Sequence, residues 1–239
     1  MQEILKDLYN LKNEKKAVHL MRFFQCKEGG YAEFDKWLGI TNPQVRQIVK
    51  KYKNVVTIAD LKSLIKNEYH EVRLCALLLL IEIFNKADDI GKKEVVDFYL
   101  CHTKYINNWD LVDLSSYKII GKYCYETKNY DILYNLAKSH DLWEQRISIV
   151  SNWWLVHNKK FDVFVDIAKS FLTTPQDLIQ KAVGWILREM GKMGDEGYKK
   201  LIEFLDSFYL QMPRVMLRYS IERLSKELKQ KYMEQKSGI

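Results

Sequence analysis

The sequence predicts an all-α chain. Only three prolines and ten glycines occur in 239 residues, too few for the many turns of a β-rich protein. No segment sustains apolar and polar alternation at a period of two. A longer period is visible instead: Arg73, Asp110, Arg146, Lys181 and Arg218 are separated by 37, 36, 35 and 37 residues, each near the start of an amphipathic stretch. Shorter helical stretches around 92–101, 130–138, 160–171 and 194–209 precede the later ones. Two helices per repeat is the pattern of an α-α superhelix, a HEAT-like repeat solenoid. Equivalent positions on its inner helices would converge on a concave basic groove, so the five polar residues above are expected to face a partner.

Local signals place the elements in order. Asn42-Pro43 reads as an N-cap followed by proline at the first helical position, opening a helix to Lys53. Thr57 with Asp60, and Thr174-Pro175 with Asp177, set an acidic residue in a first turn, where the helix dipole favours it. Residues 71–84 are apolar nearly all round and predict a buried helix. Asn107 or Asn108 is expected to cap a helix whose first turn holds Trp109 and Asp110.

Composition bounds the function. At 47% hydrophobic and 29% charged the chain should be globular, and its length fits a single helical-repeat domain over 1–239. The net charge of +7 is spread evenly, with no basic tail, so any anion-binding surface must be made by folding. Cys26, Cys75, Cys101 and Cys124 sit far apart, which predicts reduced thiols and a cytosolic protein. The start has no signal-peptide pattern, and the longest apolar run, Leu74 to Ile81, is far short of a membrane span. The five histidines form no metal motif, and phosphate-loop, nucleophile-elbow and dinucleotide patterns are missing. No metal or organic cofactor is implied.

Three segments could carry chemistry. In Asn107-Asn108-Trp109-Asp110-Leu111-Val112-Asp113, Trp109 and Asp113 lie four residues apart on one helical face. An indole beside a carboxylate suits a sugar or base that bears positive charge. The second is Leu142-Trp143-Glu144-Gln145-Arg146, continuing to Trp153. In the third, Lys181, Trp185, Arg188 and Lys192 form one stripe of cations around an aromatic, suited to a base or sugar beside a phosphate. The plain alternatives stand beside these: a helical Trp is more often core than not, which covers Trp143, Trp153 and Trp154, while Lys181 and Arg188 read as a solvated face and Asp113 as a cap or ion-pair partner.

Together with Trp143-Glu144-Gln145-Arg146, Trp185-Ile186-Leu187-Arg188-Glu189 and an N-terminal stretch from Leu38 to Arg46, the Asn107–Asp113 segment resembles the AlkD-like DNA alkylation repair family of helical-repeat DNA glycosylases. The resemblance runs from about residue 20 to about residue 220. It implies a monofunctional glycosylase working on double-stranded DNA; the reduced thiols place it in the bacterial cytosol, at the nucleoid when acting, and a solenoid of this length can stand alone as a monomer. Such an enzyme excises cationic N3- and N7-alkylpurines without drawing the base into a pocket. It further implies that Asp113 is the catalytic carboxylate, that Trp109 and Trp185 contact the deoxyribose, and that Arg146 contacts a phosphate. Arg188, Lys181 and Lys192 would hold the backbone. Two rival readings remain: a non-catalytic helical-repeat protein binding damaged or branched DNA, and a protein-binding scaffold.

Overall fold

The computed structural model describes residues 1–234, and among these there are helices but no strands. The chain divides into two compact units, the first covering Met1–Ser115 and the second beginning at Ser116. No helix among the described residues is long and apolar enough to cross a membrane.

The first unit holds α1 (Gln2–Asn10), α2 (Glu14–Phe23), α3 (Asn42–Tyr52), α4 (Ile58–Leu64), α5 (His70–Lys86), α6 (Asp89–Leu100) and α7 (Trp109–Ser116). Helix α5 is the centre, packed by α3, α4 and α6, and its residues 70–81 are all buried, the apolar majority as the sequence predicts and His70, Glu71 and Arg73 with it. The chain enters α3 through Thr41, whose amide donates to Gln44 Oε1 at 3.0 Å, so the cap lies one residue before the expected Asn42. Thr57 and Asp60 bond reciprocally at the start of α4, as expected. The side-chain cap expected for α7 is not made by Asn108. Its carboxamide is buried without a hydrogen-bond partner among the described residues, and only its backbone carbonyl serves the helix, accepting from Val112 N–H. The Asn107 side chain turns instead to Arg73.

The second unit holds α8 (Lys122–Thr127), α9 (Asp131–Ala137), α10 (Leu142–His157), α11 (Asp162–Lys169), α12 (Asp177–Met190), α13 (Gly194–Phe208), α14 (Arg214–Ser220) and α15 (Lys226–Glu234). Helices α10, α12 and α14 pack side by side, while α9 and α11 lie against α10 and α13 against α12. That is the two-layer alternation the sequence period predicts. The approach of α14 to α12 depends on Gly184, where a Cβ would lie 2.5 Å from the Met216 carbonyl oxygen.

The fold corrects the expected orientation of the repeat-marking residues. Arg73, Asp110 and Arg146 are buried, Lys181 is half-buried, and only Arg218 is exposed. Arg218 also falls near the end of a short helix and not at the start of a long one. The period marks the starts of α5, α7, α10 and α12 and misses at Arg218, and at three of these positions the polar head satisfies backbone or buried charge inside the protein.

Candidate functional site

A cavity of about 540 Å³ opens in the first unit, and both Trp109 and Asp113 line it. The rest of its lining comes from α2, from the segment 37–42 that leads into α3, and from the start of α5. Helical spacing puts the indole and the carboxylate on one face of α7, and the fold directs that face into the cavity.

The rest of the architecture holds this pair in place. Glu71, buried on α5, accepts the amides of Leu38, Gly39 and Ile40 at 2.9, 2.8 and 3.0 Å. A buried carboxylate satisfied by three N–H groups fixes the path of that segment. Gly39 is required there: its φ is +82°, and a Cβ would lie 2.0 Å from the Asn13 carbonyl oxygen. An isolated parallel bridge between Lys36 and Tyr69 completes the attachment to the start of α5.

Two residues of the cavity lining, His70 and Asp110, belong to a buried chain of charge. His70 is fully buried, with Nε2 at 2.8 Å from Asp110 Oδ2 and Nδ1 at 3.2 Å from Asp35 Oδ2. Arg73 Nη2 donates to Asp35 Oδ1 at 2.7 Å and to Asn107 Oδ1 at 3.1 Å. The remaining Arg73 donors meet the carbonyls of Asn67, Glu68 and Tyr105. Burial opposes a charged imidazole, but Asp110 and Asp35 outweigh it and raise the His70 pKa. Burial likewise opposes ionised Asp35, yet the His70 hydrogen bond and the Arg73 charge hold its carboxyl below the ordinary value. Asp110 therefore anchors the first turn of α7 to α5, three residues from Asp113.

An aromatic stack runs parallel to this chain. His70 stacks on Trp37 with ring centroids 3.8 Å apart, Trp37 on Phe24 at 4.4 Å, and Phe24 on Trp109 at 5.2 Å. Trp109 Nε1 donates to Tyr31 OH at 3.1 Å. Trp109 is thus half-buried, held by an aromatic neighbour behind and a hydroxyl at its edge, and still lines the cavity. Trp37 Nε1 donates to Cys26 Sγ, and burial raises that thiol's pKa despite the bond. Cys26 is therefore no ready nucleophile.

The other expected site residues lie in the second unit. Arg146 is 5% exposed, and its Nη1 donates to the Leu178 carbonyl at 2.6 Å, holding α10 against α12. Its expected surface position is corrected: the guanidinium is occupied inside the fold. On α12, Lys181 pairs with Asp177 at 2.6 Å, and Lys192, just past the end of the helix, pairs with Glu189 at 2.6 Å. Arg188 pairs with Glu222. Trp185 lies half-buried between these pairs in the sequence of the helix. Trp143 is core, while Trp153 stacks on His157 and Trp154 lies under Lys122. Among the described residues, no group of three or more His, Cys, Asp or Glu side chains is placed to hold a metal ion.

The model of the DNA alkylation repair enzyme family matches residues 4–224, nearly the whole chain. The chain belongs to that family. A solved structure described as a predicted DNA alkylation repair enzyme from Enterococcus faecalis superposes with a TM-score of 0.72 at 20% identity, over 90% of this chain and 97% of that one. At that identity the likeness speaks for the fold, which is the all-helical α-α superhelical class. No curated protein matches the chain.

For a member of the DNA alkylation repair family, the sequence reading placed Trp109 and Asp113 together correctly on one helical face. It missed Phe23, Phe24, Trp37, His70 and Glu71, which build the walls. The signal available was weak: Lys16, His19, Leu20 and Phe23 follow helical spacing, but nothing local pairs that stretch with residues 70–113.

Proposed function

We propose that this chain is a monofunctional DNA glycosylase that excises cationic N3- and N7-alkylated purines, such as 3-methyladenine and 7-methylguanine, from duplex DNA. The observation that carries the reading is that Trp109 and Asp113 line one cavity, with the indole backed by stacked aromatics. Family membership supports alkylated DNA as the substrate class.

The chemistry asks little of the protein. An N-alkylated purine already bears positive charge, so the N-glycosidic bond breaks with its electron pair going to the base, which leaves neutral and needs no acid. The sugar is left as an oxocarbenium-like cation at C1′. Asp113 would stabilise that cation and take a proton from the water that attacks C1′, leaving an abasic site. At about 4 Å and an effective dielectric near 20, such a charge pair is worth roughly 4 kcal/mol before desolvation of the carboxylate is subtracted. Realised in the transition state, that ceiling is about a thousandfold in rate. Trp109 would add cation–π stabilisation of about 1–2 kcal/mol.

Lys181, Arg188 and Lys192 would serve as backbone contacts only by exchanging their acidic partners for phosphates. Half-exposed pairs of this kind are worth roughly 0–1 kcal/mol each, so the exchange is affordable. Arg146 is assigned a structural role, given its burial. The enzyme would act as a monomer. The test is release of methylated purines from methylated duplex DNA by the purified protein and by Asp113→Asn. DNA binding with no release by the parent would favour the non-catalytic reading.

A further inference from the structure

We propose that the cavity-facing side of α2 is a surface for the DNA strand, with Lys16 on a backbone phosphate and Phe23 against the nucleoside next to the one at Trp109. The inference rests on the DNA-directed part of the reading above and not on excision. Lys16, His19, Leu20 and Phe23 fall at i, i+3, i+4 and i+7 of α2, one helical face, and all four line the cavity that Trp109 and Asp113 share.

Leu20 is half-buried and fixes the face by packing on the Phe24–Trp37 cluster. Phe23 does not follow it inward. It is 60% exposed and meets Trp109 edge-on, with ring centroids 6.2 Å apart. A large aromatic left in water at the rim of a cavity contributes little to folding, and its location beside Trp109 provides the stacking plane a neighbouring nucleoside would use.

Charge points to the same partner. Residues 12–27 carry five cations and one acidic residue, Glu14, which pairs with Lys12. Among the described residues, Lys16 has no ion-pair partner; Lys181 and Arg188 on α12, and Lys192 just past its end, are all paired with acidic side chains. A phosphate at Lys16 displaces no carboxylate, so α2 is the better-prepared backbone contact. A cation and an aromatic on one helical face match the alternation of phosphate and base along a strand.

The test is fluorescence anisotropy of a labelled duplex, both undamaged and carrying an abasic analogue, across a sodium chloride series. Lys16→Ala should flatten the slope of log affinity against log salt by about 0.9, the value of one lost phosphate contact. Phe23→Ala should weaken binding about tenfold with the slope unchanged. Lys62→Ala, on α4 and outside the cavity lining, should match the parent in both. Parental affinity and slope in both α2 variants, or no duplex binding by the parent, would overturn the proposal. Methylpurine release measured on the same proteins separates the two readings. Changed slopes without excision leave the α2 surface standing and remove the glycosylase; excision with unchanged slopes does the reverse.

Discussion

Arg73→Met removes the most heavily used side chain in the first unit. The guanidinium is 4% exposed and donates to three backbone carbonyls, to Asn107 and to Asp35. Methionine restores much of the volume and none of the donors. Asp35 would keep only His70 and Asn107 as partners in a buried setting, and breaking a buried ion pair from one side costs about 3–5 kcal/mol. The orphaned carbonyls add to that, so about 4 kcal/mol is the expected loss, a fall in Tm on the order of 10 °C for a chain of this size. Urea unfolding with and without Asp35→Asn makes a double-mutant cycle, and the Asp35 change should cost much less once Arg73 is gone. Arg218→Met, at the position the sequence period treats as equivalent but exposed in the structure, should change stability by under about 0.5 kcal/mol. Equal small effects at Arg73 and Arg218 would refute the claim that the polar network holds α5, α7 and the segment around Asp35 together.

Two further outcomes follow from the same geometry. Because His70 has a folded-state pKa above its ordinary value of 6.5, its contribution is complete below that value and is lost as pH rises through the folded pKa. Urea midpoints should therefore fall on the alkaline side in the parent, and His70→Gln should remove that dependence while lowering stability at pH 6. Asp35, lowered, works in the opposite window, its contribution being lost only as pH falls through its depressed pKa. Arg146→Ala should destabilise the second unit by about 2–3 kcal/mol, since it removes the guanidinium's hydrogen bond to the Leu178 carbonyl and leaves a void between α10 and α12. Its effect on the salt slope of DNA binding should be negligible, and a slope reduced by about 0.9 would restore the phosphate contact to Arg146.

The helices were legible wherever one segment carried its own signal. The apolar run of α5 and the Thr57–Asp60 and Asp177 starts are decided within a few residues, and the structure has them there. The α7 pair Trp109 and Asp113 was legible for the same reason, since four residues on a helix fix a shared face. Arg73, Asp110 and Arg146 were misread because a polar residue in an amphipathic stretch has two fates. Which one applies depends on partners far off in sequence, such as Asp35 for Arg73, His70 for Asp110 and Leu178 for Arg146. The aromatic wall was invisible for a related reason. Phe24, Trp37 and His70 stack only after the segment between α2 and α3 is folded, and its path is set by Glu71, more than thirty residues away in sequence.

The central claim is that a carboxylate and an indole on α7 face one cavity and act together on a sugar cation. The most direct measurement is the single-turnover rate of 7-methylguanine release from methylated duplex DNA by the parent and by Asp113→Asn, with duplex affinity measured alongside. The account predicts release by the parent and a loss of about a hundredfold or more in the variant at near-parental affinity. Release by Asp113→Asn at the parent's rate would contradict it.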